Sequence, residues 1–232
     1  MNIFNFVFTR KVNVMPNEKL SFARQQILKN CNFIVDIGAN DGEWIKNVRK
    51  KGYHEDALCI EPQKNVFLAL KSAGINNTSF LNCAVGNRNG FVYINQTSNN
   101  GLSSSILELN SYHVAAAPHV EVIRQEKVRI LKLSKILQEV NNKSIFIKID
   151  TQGYELEILK SIDSKSFRKI NAFEIEVNLV STYKSCALME DVIGFLRNQK
   201  FHPFRIENGL GLPNFGQQLQ VDILFIRNPN RI

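Results

Sequence analysis

From Phe33 to Ile226 the chain alternates short apolar runs with stretches whose apolar residues recur every three or four positions, and this alternation constrains the fold more than any other feature. A strand covered on both faces reads as a continuous apolar run, whereas a surface helix shows one apolar stripe. Phe33–Ile37, Ala57–Ile60, Ile145–Ile149 and Phe173–Val177 are of the first kind. Leu20, Ala23, Ile27 and Leu28, then Trp44, Ile45 and Val48, then Val66, Phe67, Leu70 and Ala73 are of the second. Thr78–Val85 reads as a third strand followed by a turn at 86–90, and Phe91–Ile94 as an added one. Val128–Leu131, a helix over 134–140, a helix over 154–161, a helix over 187–199, His202–Ile206 and Val221–Ile226 continue the pattern. The expected fold is α/β: a mostly parallel twisted sheet with helices on both faces. Residues 95–126, with Gly101, three serines and Pro118 but no periodicity, read as an irregular excursion, and long irregular loops are commonly functional. With no internal repeat or linker, residues 1–232 read as one domain whose first 31 residues are a helical lead-in.

Composition excludes more than it assigns. No stretch approaches the roughly 20 apolar residues of a membrane helix, and the amino terminus lacks a secretory pattern, so a cytoplasmic protein is expected. The four cysteines show no C-x-x-C spacing, which argues for thiols and against a metal site. A formal charge of +8 is spread along the chain, and most of the 16 phenylalanines sit in strand-like runs, leaving no basic and aromatic stripe for nucleic acid. Self-association is left open.

Ligands of open α/β sheets bind beyond the carboxyl ends of the strands. Gly38 and Gly42 follow the first strand, where glycine permits a tight turn and close backbone approach, and Asn40 and Asp41 between them can cap the next helix or bind a ligand. Glu61 ends the second strand, where a carboxylate can accept both hydroxyls of a ribose. Two strand ends thus agree on a nucleoside. A dinucleotide site expects G-x-G-x-x-G, but the spacing here is G-x-x-x-G, and Asp36 suits a cofactor carrying ammonium and sulfonium cations better than a pyrophosphate. S-adenosylmethionine is therefore favoured over NAD. The competing functions are an NAD-dependent oxidoreductase and an inactive binding module of the same fold.

The segments Val35–Asn40, Ile60–Pro62, Asn82–Gly86 and Lys148–Glu155 resemble the FkbM-like methyltransferases, with Ser103–Leu107, His113–Pro118 and Gln220–Phe225 similar to one branch of that family. The K-I-D-x-x-G-x-E block is the most specific match, and the resemblance runs from about Asn32 to Asn228. It implies a seven-stranded Rossmann-like class I methyltransferase sheet ending in an antiparallel hairpin, with O-methylation of sugars, glycans or glycosylated natural products. Matched residue by residue, it places Asp36, Gly38, Ala39 and Asn40 around the methionine part of S-adenosylmethionine, Glu61 at the ribose, and Asn82, Cys83 and Ala84 at the adenine, with Asp41 and Pro62 as further cofactor contacts. Asp150, at the end of the fourth main strand, is the candidate catalytic carboxylate, and His113 is a second candidate base because imidazole titrates near neutral pH. Ser103, Ser104, Ser105, Gln152 and Glu176 are candidate contacts to a small-molecule or glycan acceptor. Two departures stand out: Ser134 where the family often has Asp, and Ser161 where Gly often follows the last Lys. Glu155 reads as complementing a helix amino terminus, and Trp44 as core.

Overall fold

The computed structural model describes residues 19–140, 144–212 and 215–227; residues 1–18 of the expected lead-in lie outside them. In chain order the elements are α1 (Lys19–Leu28), β1 (Phe33–Ile37), α2 (Glu43–Lys50), β2 (Asp56–Ile60), α3 (Lys64–Ser72), β3 (Thr78–Leu81), β4 (Ala84–Gly86), β5 (Gly90–Thr97), α4 (Ser111–Ala116), β6 (Val122–Lys132), α5 (Leu133–Gln138), β7 (Ile145–Ile149), α6 (Glu155–Lys160), α7 (Ser164–Phe167), β8 (Ile170–Asn178), α8 (Met189–Asn198), β9 (His202–Asn208), β10 (Gly211–Leu212), β11 (Gln217–Gln218) and β12 (Gln220–Ile226).

Seven strands form the main sheet in the order β3-β2-β1-β7-β8-β12-β9. The first five run parallel, and β12 is antiparallel to both of its neighbours, giving the expected antiparallel end, which β10 and β11 extend as a short hairpin. The chain walks outward through β1, β2 and β3, then returns to place β7 on the other side of β1, so the switch in direction falls between β1 and β7. One face of the sheet packs on Leu133, Ile136, Leu137, Ile158, Leu159, Val192 and Leu196 from α5, α6 and α8. The other packs on Ala23, Ile27, Ile45, Val48 and Leu70 from α1, α2 and α3. Each such buried Leu, Ile or Val side chain contributes about 1.5–3 kcal/mol of transfer free energy. Among the described residues no helix is long and apolar enough to cross a membrane.

The structure corrects two sequence boundaries. Thr78–Val85 is not one strand: β3 stops at Leu81, where the Asn82 side-chain amide donates to the carbonyls of Glu61 and Pro62 at 2.9 Å each. After that turn the chain enters a second sheet, ordered β4-β6-β5. The excursion is also less irregular than its pattern, because its ends are the halves of the β5–β6 ribbon, paired antiparallel from Gly90 with Ile130 to Thr97 with Val122. The outer part of β6 is solvent-exposed, so Val122–Lys127 carry no apolar alternation to read. Phe167, Phe173 and Phe201 lie in the core as expected, whereas Phe22, Phe91, Phe204 and Phe215 are exposed.

The two family departures touch each other. The Ser161 hydroxyl accepts the Leu133 N–H at 2.9 Å at the start of α5 and donates to the Ile158 carbonyl at 2.7 Å, while the Ser161 carbonyl accepts the Ser134 N–H at 3.4 Å. The cap of α5 therefore comes from Ser161 across the fold.

Candidate active site

A cleft opens at the direction switch, beyond the carboxyl ends of β1, β2 and β7. Its floor is built by three loops that hold one another. Gly38 (φ 81°) and Ala39 donate to the Ile60 carbonyl at 3.0 and 3.1 Å, and Asp150 donates to the Ile37 carbonyl at 3.0 Å. A Cβ on Gly38 would stand 1.8 Å from the Asp150 carbonyl oxygen, so glycine is required by the contact between the β1 and β7 loops. Gly42 serves packing instead. A Cβ there would meet Leu70 and Ile75 at 2.7 and 2.8 Å, so this glycine lets α2 pack on α3.

Glu61 is 3% exposed on the cleft wall. Oε2 accepts the Asn40 N–H at 3.0 Å, and Oε1 accepts the Gln63 N–H at 2.9 Å and the Gln63 side-chain amide at 3.4 Å. With two lone pairs on each carboxylate oxygen, Oε2 keeps acceptor capacity toward the cleft. Burial raises Glu61 to about 7, against the lowering effect of those backbone N–H groups. The apolar wall comes from Ile60, Cys83, Ala84, Val85 and Leu102. The segment 99–106 roofs it, through the Asn40 amide donating to the Asn100 carbonyl at 3.2 Å and the Ser105 hydroxyl to the Gln152 carbonyl at 2.7 Å.

On the β7 side, Asp150 lines the cleft with one carboxylate oxygen bonded to Lys148 Nζ at 3.0 Å and the other to Gln152 Nε2 at 2.8 Å. Gln152, in the left-handed region at φ 60°, also donates to Glu176 Oε2 at 2.8 Å and accepts the Tyr183 hydroxyl at 2.6 Å. The two carboxyl oxygens accept from the amide nitrogen, which leaves the amide oxygen toward the Tyr183 hydroxyl, whose other partner is the Ser103 carbonyl at 3.2 Å. Burial, with Asp150, Asp222 and Glu155 nearby, raises Glu176 well above the usual carboxylate range. Glu155 accepts the backbone N–H groups of Thr151 and Gly153 at 2.9 and 3.1 Å and the Thr151 hydroxyl at 3.0 Å. It ties the D-x-x-G-x-E loop to its own helix start, which accounts for that motif's spacing.

The candidate residues separate into those on the cleft and those behind it. Gly38, Asn40, Glu61, Pro62, Cys83, Ala84, Ser104, Ser105, Asp150 and Gln152 line one cleft. Ala39 packs in the core beneath α2, Asp41 caps that helix by accepting the Glu43 N–H at 3.0 Å, and Asn82 holds the β2 loop. Ser103 binds Asn99, and Glu176 meets the site through Gln152. Asp36 alternates with the cleft residue Ile37 and turns to the α1 and α2 face, fully buried beside Lys148. His113 is buried against the Tyr183 ring at 5.2 Å, with neither ring nitrogen hydrogen-bonded among the described residues, and does not line the cleft. Burial holds it below the ordinary histidine range. Trp44 is partly buried, stacked on Phe146 at 6.0 Å, and its indole N–H binds Glu174 at 2.9 Å. Sequence reasoning passed over Gln63, Leu102, Tyr154 and Tyr183. Lys148 left a legible signal as the one charge inside Ile145–Ile149.

These buried acids predict an inverted pH profile for stability. Burial is the leading cause that raises Asp36 to about 6 and Glu61, Glu155 and Asp222 to about 7. An acid raised in the fold favours the protonated folded state, so its stabilisation is full below its unfolded value near 4 and is lost as pH rises through 6 to 7. His113 acts oppositely, since a lowered histidine costs stability as pH falls below its ordinary value near 6.5. Urea unfolding should therefore give a midpoint higher near pH 6 than near pH 8, by at least about 2 kcal/mol of stability. A profile that is flat or rises toward pH 8 would contradict it.

The fold and cleft define a Rossmann-like class I methyltransferase that uses S-adenosylmethionine. A family model described as the methyltransferase FkbM domain matches residues 36–203, and the chain belongs to that family. The plantazolicin methyltransferase BamL, solved with a triazolic desmethylPZN analog and SAH, shares the fold at a TM-score of 0.51 with 12% identity, over 90% of this chain and 82% of that one. A precorrin-6y methyltransferase from Geobacter metallireducens is similar at 0.48 and 8% identity over 93% and 91% of the two chains. TehB from Haemophilus influenzae is similar at 0.48 and 10% identity over 95% and 66%. No curated protein sequence matches the chain.

Proposed function

We propose that this protein is a single-domain, cytoplasmic O-methyltransferase whose acceptor is a hydroxyl of a sugar, glycan or glycosylated natural product. The observation that carries this reading is Asp150, a carboxylate on the cleft wall with each oxygen held by a donor, Lys148 on one side and Gln152 on the other. The cleft fits S-adenosylmethionine: Glu61 is a buried acceptor suited to a ribose diol, and Cys83, Ala84 and Leu102 offer an apolar wall to an adenine ring. Gly38, Asn40 and Pro62 complete the cofactor side. When bound, S-adenosylmethionine supplies a methyl carbon made electrophilic by its sulfonium.

A sugar hydroxyl is a weak nucleophile. Asp150 orients it by accepting its hydrogen bond and takes the proton as the new bond forms. Ser104 and Ser105 contact the acceptor from the roof, and Gln152 from the β7 side, its amide held from behind by Glu176. His113, behind Tyr183, takes no part in the transfer.

Calorimetry with S-adenosylmethionine tests the cofactor side. Losing Glu61 in Glu61→Ala should cost about 1.5–3 kcal/mol, roughly a 10- to 150-fold weaker Kd, as a charge-assisted pair of contacts is lost. Unchanged affinity in a folded variant would take the ribose away from Glu61. Release of S-adenosylhomocysteine upon incubation with glycan and glycolipid extracts tests the acceptor class.

A further inference from the structure

Asp36 is the anomaly of this site. It is fully buried in the middle of the sheet, and neither carboxylate oxygen has a hydrogen-bond partner among the described residues. Buried polar atoms left unpaired are costly, and more so when charged, so such a group calls for an explanation. Its nearest cation is Lys148, one register step across on β7, whose Nζ stands 3.9 Å from Asp36 and 3.0 Å from Asp150. The other groups facing this cluster are Glu174 and Glu176 on β8, Asp222 on β12, Arg24 on α1 and Cys59 on β2. Arg24 is paired to Glu174, which also holds the Trp44 indole, so among the described residues Lys148 is the cation left to serve both aspartates.

We propose that Lys148 is a two-position cation, bonded to Asp150 in the resting site and to Asp36 once Asp150 has taken up a proton. This rests on the assignment of Asp150 as the proton acceptor. The balance is simple. The acceptor's O–H bond breaks and its proton joins an Asp150 oxygen, while the Lys148 ammonium keeps its three protons and moves about 1 Å closer to Asp36. The trio passes from one net negative charge to none, and no buried ammonium is left without a carboxylate. Lys148 remains charged in both positions: burial works against the ammonium, but Asp150 and Asp36 outweigh it and hold Lys148 above the ordinary lysine range. Asp36 and Lys148 are thus positioning residues that act on Asp150, and Asp36 does not act on the cofactor.

The crystal structure of Asp150→Asn, a neutral mimic of the protonated carboxyl, is the direct test. Lys148 Nζ should lie about 2.7–3.2 Å from an Asp36 oxygen. An ammonium still about 4 Å away, with Asp36 still unpaired, would overturn the proposal. The second measurement is calorimetry of Asp36→Asn with S-adenosylmethionine. Its Kd should change less than about twofold, because Asp36 faces away from the cleft, and a loss of tenfold or more in a folded protein would return Asp36 to the cofactor. Neither result depends on whether Asp150 is the base, which turnover by Asp150→Asn decides separately.

Discussion

Gly38→Ala will not bind S-adenosylmethionine, and its unfolding temperature will fall by roughly 8–16 °C. The added methyl would stand 1.8 Å from the Asp150 carbonyl oxygen and 2.9 Å from the carbonyl carbon, both backbone atoms that no rotamer change can move. Relief requires the β1 and β7 loops to part, which breaks the hydrogen bonds from Gly38 to Ile60 and from Asp150 to Ile37. A cost of about 4 kcal/mol puts the change among the severe single substitutions, and at about 2–4 °C per kcal/mol for a chain of this size it gives the stated shift. Gly74→Ala is the control. Gly74 also has positive φ, 60°, but open space where its Cβ would stand, so it should lose only about 1 kcal/mol. Thermal scans giving equal losses for the two variants would show that backbone strain, and not the contact with Asp150, makes Gly38 necessary.

What could be seen in the sequence was the set of residues whose role follows from the end of a strand. Gly38, Glu61 and Asp150 each terminate an apolar run, and strands of a parallel sheet deliver their carboxyl ends to one edge. Asp36 lies off the cleft for a related reason. Its charge invited a cofactor role, but a strand points alternate side chains to opposite faces, and Ile37 takes the cleft side. Alternation in Phe33–Ile37 carried that information, although nothing in five buried positions marked which face would hold the cleft. The sequence marks Gln152 as an acceptor contact, but its bridge between Asp150 and Glu176 depends on a backbone at φ 60°, which no residue type there announces, and Tyr183 reaches it from 31 positions away. The roof over 99–106 was hidden because its anchors are single side chains, Asn40, Gln63 and Ser105, bonded to loop carbonyls, a pattern without period.

Asp150→Asn should slow turnover by about 10²- to 10⁴-fold, the usual contribution of a positioned proton acceptor. The variant keeps the side chain's size, and its amide oxygen can still accept from Gln152 while Lys148 is released toward Asp36, so one of the two side-chain contacts on the β7 loop is kept. The loop is in any case tied by Glu155 and by the Asp150 backbone N–H, neither of which the substitution alters. What disappears is the anion that can receive a hydroxyl proton. The measurement is kcat with an identified acceptor beside Kd for S-adenosylmethionine: a chemical role lowers kcat far more than it weakens the cofactor, whereas a scaffolding role would spoil both together. His113→Ala supplies the opposing case. His113 is walled off by Tyr183 and has no hydrogen bond to the cleft among the described residues, so its loss should cost packing and less than about tenfold in kcat. If His113→Ala collapses turnover while Asp150→Asn stays near normal, the proton leaves through the histidine, and α4 must then move relative to Tyr183 during the reaction.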